Sequence, residues 1–119
     1  MKQILVADDE EVLRMLITDT LEDEGYQITE AEDGDHAYEL MINNDFDLVI
    51  LDYMMPGRTG VDVAKEMSDN YKENTPLLML TAKTQGTDVE QSIEAGIHYF
   101  MGKPFSPIEL AMFVEEILS

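Results

Sequence analysis

Leu48-Val49-Ile50-Leu51-Asp52 is a wholly apolar run that stops on a carboxylate. A run this short, between helical patterns, reads as a strand buried on both faces. The same arrangement recurs along the chain. Ile4–Ala7 ends on Asp8-Asp9, Leu77–Leu80 ends on Thr81, and Tyr99-Phe100-Met101 passes through Gly102 to Lys103. Ligands of parallel sheets bind beyond the carboxyl ends of the strands. The runs should therefore bring three carboxylates, a hydroxyl and an ammonium to one edge.

Outward from these runs, strand and helix signals alternate five times. A helix is expected over about Glu11–Glu24, with Leu13, Leu16, Ile17 and Leu21 at helical spacing and Gly25 at its end. Tyr26–Ala31 reads as a more polar strand suited to an edge. Asp33-Gly34-Asp35 opens a second helix carrying Ala37, Leu40 and Met41, and Thr59-Gly60 a third carrying Val63, Ala64 and Met67. The fourth helix starts at the capping-box pattern Thr87-x-x-Glu90 and has few apolar residues, chiefly Val89 and Ile93, so its hold on the core should be weak. The fifth follows Ser106-Pro107-Ile108-Glu109, a capping box with proline at the first helical position.

Such alternation predicts a doubly wound α/β sandwich of three layers, with a five-stranded parallel sheet in the middle. The polar second strand favours the order 2-1-3-4-5, the flavodoxin-like arrangement, with its switch point between strands one and three. Strands three to five, being wholly apolar, are expected to be central and buried. Asp8-Asp9 and Asp52 end the two strands that flank the switch point. Topology and acidic cluster select the same crevice.

The 119 residues are expected to form one domain, long enough to bury roughly two-thirds of the unfolded surface. There is no cysteine, which excludes disulfides and thiolate metal sites. With neither a signal sequence nor a membrane span, a cytoplasmic location is expected. Twenty-six acidic residues against seven basic give a formal net charge of −19. A surface of that sign repels phosphate backbones, so direct nucleic-acid binding by this domain is not expected.

Carboxylates about 4 Å apart repel by several kcal/mol at an effective dielectric near 20. A divalent cation offsets that repulsion. Oxygen donors without His or Cys favour Mg²⁺, with Mn²⁺ as a substitute. A carboxylate beside such an ion can attack phosphorus as a nucleophile. The charge on the transferred group can then be shared by the cation, Lys103 and Thr81.

The residues Asp8-Asp9-Glu10, Asp52-x-Met54-Met55-Pro56-x-x-x-Gly60, Thr81-Ala82 and Lys103-Pro104-Phe105 resemble the receiver domain of two-component response regulators, from Ile4 to Leu118. The resemblance implies that Asp52 accepts a phosphoryl group from a phosphohistidine on a sensor histidine kinase or a histidine phosphotransfer protein. It implies that Asp9, Asp52 and the main-chain carbonyl of Met54 bind Mg²⁺ directly, that Asp8 acts through water, and that the bond before Pro104 is cis. On phosphorylation Thr81 would be drawn toward the phosphoryl group and Phe100 would turn inward. The surface of the fourth helix, fifth strand and fifth helix would then switch toward a downstream protein target. Phe100 stands where many relatives have tyrosine, so its switching would rest on packing alone.

The resemblance further assigns partner docking to the first helix and the loop after strand five, through Leu13, Leu16, Pro104 and Phe105. Met54 and Lys83 occupy the positions that modulate phosphoryl lifetime. Since Met54 cannot orient a water, self-dephosphorylation should be slow. The domain would catalyse its own phosphorylation and dephosphorylation without turning over a separate substrate. Two other readings compete. A phosphatase that forms an aspartyl phosphate would want a carboxylate where Met54 stands. A phosphorylation-independent interaction module would usually have lost an acidic residue or the lysine, and this chain keeps them all.

Overall fold

The computed structural model describes residues 1–82 and 87–119, the side chains of Thr87 and Asp88 excepted. Lys83 and the side-chain half of the Thr87 cap lie outside the described residues. The elements run β1 (Gln3–Ala7), α1 (Glu11–Asp23), β2 (Gln27–Ala31), α2 (Gly34–Asn43), β3 (Leu48–Asp52), α3 (Gly60–Glu66), α4 (Asp69–Asn74), β4 (Leu77–Thr81), α5 (Thr87–Glu94), β5 (Tyr99–Gly102) and α6 (Pro107–Leu118). The strands form one parallel sheet in the order β2-β1-β3-β4-β5, as the alternation and the polar second strand predict.

Every residue of β3 and β4 is buried because the sheet has a core on each face. Leu5, Ala7, Val49, Leu51, Leu77 and Met79 point to one core, which α2, α3 and the end of α5 close with residues such as Ala37, Met41, Val63 and Ala95. Their sequence neighbours Ile4, Val6, Leu48, Ile50, Leu78 and Leu80 enter the other, sealed by Ile17 and Leu21 of α1 and by Leu110 and Val114 of α6. A period-2 side-chain alternation between two apolar layers leaves no polar position on either strand before its last residue, Asp52 or Thr81.

Three expectations need correction. The third helix is two short ones, because Met67 takes extended backbone and Ser68 starts a new helix as an N-cap accepting from the Tyr71 N–H at 3.0 Å. The fourth and fifth helices of the sequence reading are therefore α5 and α6. The fifth strand, read as central from its apolar character, is an edge strand with Tyr99 exposed; one face of it is covered by Phe113 in an edge-on ring contact at 5.9 Å. Ile93, read as one of the chief apolar residues of its helix, is 59% exposed; Ser92 is buried there, and Ala95, just past the end of α5, enters the core. Lys72 of α4 reinforces that end by donating to the Ala64 carbonyl (3.2 Å) and the Ala95 carbonyl (2.8 Å).

Helix starts follow local chemistry. Asp33 accepts from the His36 N–H at 2.7 Å, and Ser106 accepts from the Glu109 N–H at 3.1 Å with Pro107 following. Among the described residues the full reciprocal box is at α3, where Thr59 accepts from the Asp62 N–H and the Asp62 carboxylate accepts from the Thr59 N–H. Thr59→Ala is expected to cost about 1 kcal/mol in urea unfolding; a change under about 0.3 kcal/mol would mean the box is not used in solution. No helix among the described residues is long and apolar enough to cross a membrane.

Candidate functional site

The register sets the site. Ala7 pairs with Leu51, so Asp8 and Asp52 leave the sheet side by side at the switch point between β1 and β3. Asp52 is level with Leu80, while Thr81 pairs with Gly102 one step further on. The Lys103 N–H donates to the Thr81 carbonyl at 2.8 Å, which turns the lysine back over the strand ends. The Lys103–Pro104 peptide bond is cis, as the resemblance implies. These ends border a cleft of about 560 Å³, lined by Asp9, Asp52, Met54, Thr81 and Lys103 among others.

Lys103 is the positive centre of the cleft. Its Nζ lies 2.8 Å from Asp52 Oδ1, 3.5 Å from Asp8 Oδ2 and 3.8 Å from Glu10 Oε1. Asp8 is fully buried, Asp52 and Thr81 are nearly so, and Glu10 is exposed. Burial pushes the Asp52 carboxyl up to about 6, with the charge of Asp8 adding to the rise and the hydrogen bond from Lys103 opposing it. Burial also raises Asp8, against the hydrogen bond from the Glu10 N–H. At Lys103 burial works to lower the pKa, but the hydrogen bond to Asp52 and the surrounding acids together raise it. Asp52 thus resists ionisation, while the surrounding acids hold Lys103 in its charged form.

A carboxylate oxygen from each of Asp8, Glu10 and Asp52 lies within 4.8 Å of the others. Asp8 Oδ2 is buried and makes no hydrogen bond. Three carboxylates around one ammonium leave an excess of negative charge, and every donor is a hard oxygen, so the set fits a cation such as Mg²⁺. Asp9 is exposed, lines the same cleft and stands outside that set. Glu10 takes the third place, a role that its position within the acidic run Asp8-Asp9-Glu10 does not by itself reveal. Its position as the N-cap of α1 with no side-chain capping bond leaves its carboxylate free to face Lys103.

The loop from Asp52 to α3 is held from outside. Gly60 donates its N–H to the Tyr53 carbonyl at 3.0 Å, and a Cβ on Gly60 would come within 2.6 Å of the Asp52 carbonyl oxygen. Arg58 pairs with Glu66 (2.6 Å) and Asp35 (3.3 Å) and lies 4.3 Å over the Tyr38 ring. Gly34 packs directly against the Arg58 backbone. Within this loop Met55 is buried, whereas Met54 is 66% exposed at the mouth of the cleft.

Phe100 is half-buried against the α2–α5 core, away from the charged centre. Of the residues read as a docking patch, Leu13 is half-buried against the α1–α6 core, Leu16 is exposed, Pro104 is exposed and Phe105 is half-buried. The exposed apolar residues of α1 are Val12, Met15 and Leu16, of which only Leu16 figures among the sequence-based expectations. Hydrophobic periodicity finds the core stripe and says nothing of apolar residues left outside it.

Residues 4–115 match the family of the response regulator receiver domain. The chain is 42% identical over 116 residues to the transcriptional regulatory protein ResD of Bacillus subtilis, covering 98% of this chain and 48% of ResD. It is 38% identical to the transcriptional regulatory protein SrrA of Staphylococcus aureus, with 98% and 47% covered. The chain thus spans about half the length of these curated relatives. Among solved structures, the response regulator TrrA of Thermotoga maritima in complex with Mg²⁺-BeF superposes with a TM-score of 0.87 at 36% identity, covering 99% of this chain and all of that one. The chemotaxis response regulator CheY4 of Vibrio cholerae gives a TM-score of 0.92 at 31% identity, with 99% of both chains covered.

Proposed function

The chain belongs to the response regulator receiver domain family, whose members act in two-component phosphorelay signalling, and we propose that Asp52 is its phosphoacceptor and Mg²⁺ its metal. The observation that carries this reading is the contact of Lys103 Nζ with Asp52 Oδ1 at 2.8 Å inside a ring of carboxylates. Asp9, Asp52 and the carbonyl of Met54 would hold the cation directly and Asp8 through water; when bound, the ion supplies positive charge to the oxygens of the transferred group. TrrA was solved with Mg²⁺-BeF, and the donor set here suits the same metal.

Receiver domains of response regulators are phosphorylated by sensor histidine kinases, and the donor proposed here is a phosphohistidine on such a kinase or on a phosphotransfer protein. A carboxylate oxygen of Asp52 attacks phosphorus, the phosphorus–nitrogen bond of the donor breaks, and the leaving imidazole keeps the electron pair. Asp52 must be ionised to attack, and a carboxyl near 6 is largely so at neutral pH. Lys103 exchanges its Asp52 oxygen for a phosphoryl oxygen, and the Thr81 hydroxyl meets another. Movement of Thr81 and Phe100 would then reshape the surface of α5, β5 and α6 for a downstream protein target. Docking of the phosphodonor is assigned to the first helix and the loop after β5, by Leu13, Leu16, Pro104 and Phe105. The test is intact-protein mass spectrometry after acetyl phosphate, with Mg²⁺ or with chelator, followed by mapping of the modified peptide. One phosphoryl group on the peptide containing Asp52, only with metal, is the expected result; modification elsewhere, or none, would overturn it.

The lifetime of the product follows from Met54. A thioether at the mouth of the cleft can neither accept a proton from water nor aim it, so hydrolysis of the aspartyl phosphate should be slow. Met54→Asn is expected to speed it about tenfold, less than a full general base contributes. Equal decay of the two phosphoproteins in Mg²⁺ would remove Met54 from the account.

A further inference from the structure

Asp8 leaves β1 one residue past its last pairing with β2 and β3, so its carbonyl has no strand to bond to. Arg14, one turn into α1, supplies the missing partner. Its Nη1 donates to the Asp8 carbonyl at 2.7 Å, and its Nε donates to Glu30 Oε1 of β2 at 2.9 Å. The Arg14 side chain is only 15% exposed. The Asp8 N–H meanwhile donates to the Ala31 carbonyl at 3.1 Å, and Asp8 Oδ1 accepts from the Glu10 N–H at 2.9 Å. Every polar atom of Asp8 except Oδ2 is therefore tied, and Oδ2 is the atom that faces Lys103.

We propose that Arg14 is a positioning residue for the cation site, bracing the β1–α1 turn against β2 so that Asp8, Asp9 and Glu10 cannot spread away from Asp52. The inference rests on the divalent-cation reading of that cleft. The carboxylates of Asp8, Glu10 and Asp52 repel one another, and the turn between β1 and α1 is the segment through which two of them would relax. A guanidinium suits the task because two separate N–H groups reach two acceptors in one rigid plane, while an ammonium is a single point. Glu30 sets the plane of Arg14 from the neighbouring strand, and a neutral glutamine there could still accept from Nε.

The experiment is calorimetric titration of Mg²⁺ into the whole chain, without phosphodonor, at 15 °C and constant ionic strength. Unmodified protein, Arg14→Gln, Arg14→Lys, Glu30→Gln and Glu30→Ala are compared, each with a thermal melt. Outer partners of metal ligands typically change affinity by about 10–100-fold. Arg14→Gln is expected to weaken Mg²⁺ about tenfold while folded, Arg14→Lys and Glu30→Ala by less, and Glu30→Gln by under about twofold. A lower melting temperature with an unchanged dissociation constant would make Arg14 structural only and overturn the proposal. Should Arg14→Gln fail to fold, Arg14→Lys and the Glu30 pair decide, and equal affinity across those three would also overturn it. Absence of Mg²⁺ binding by the unmodified protein is a different failure: it would overturn the metal reading, and the positioning role would fall with it.

Discussion

Asp52→Asn is expected to abolish phosphoryl incorporation and, in the same molecule, to raise the melting temperature at pH 7 by several degrees. Incorporation is lost because an amide is no nucleophile toward phosphorus. The gain in stability follows from linkage. Burial raises the Asp52 pKa from 3.8 to about 6, so the folded state binds that proton more tightly than the unfolded chain. Stability from the protonated form is complete below about pH 4 and is lost as the pH rises through about 6. The loss corresponds to at most about 3 kcal/mol. Asparagine mimics the protonated acid and keeps that stability at every pH. Metal-free melts of both proteins between pH 4 and 7.5 should converge at the acid end and diverge at neutrality. Equal melting temperatures at pH 7 would mean that Lys103 fully compensates the buried charge.

Gly34→Ala is expected to destabilise the fold by about 3 kcal/mol, at the upper end of ordinary overpacking, or to prevent folding. An added Cβ would overlap the Arg58 carbonyl group, its carbon only 2.6 Å away, and the obstacle is backbone and not a flexible side-chain end. The first turn of α2 would have to back away, taking with it Asp35 and Tyr38, the partners of Arg58. Gly25 makes the contrast. It takes φ +92° with open space around its α-carbon, so Gly25→Ala meets strain but no clash and should cost about 1 kcal/mol. Urea unfolding of both variants checks the order. A loss under about 1 kcal/mol at Gly34 would show that α2 can shift freely against the loop.

The sheet order and the strand-end residues were legible because apolar runs and their polar stops are local patterns. Asp8, Asp52, Thr81 and Lys103 could be assigned to one edge from alternation alone. The break at Met67-Ser68 was not legible, since Val63, Ala64 and Met67 keep helical spacing up to it. The order itself puts β5 at the edge, and its apolar character serves packing on both faces, Phe100 against the α2–α5 core and Tyr99 and Met101 toward α6. Glu10 beside Lys103, Arg14 on Glu30 and Gly34 against Arg58 all depend on contacts between distant segments. No periodicity within a window reports those.

The two cores that share β1, β3 and β4 have a consequence for how such a chain diversifies. Leu5 and Val6, or Leu77 and Leu78, are chain neighbours that answer to different sets of packing partners. Close-packed interiors constrain each side chain chiefly through what it touches. Drift in the layer under α1 and α6 therefore leaves the layer under α2 to α5 largely undisturbed. The strands act as a partition, and the two outer surfaces can be remodelled on separate schedules while the acidic edge between them keeps its geometry.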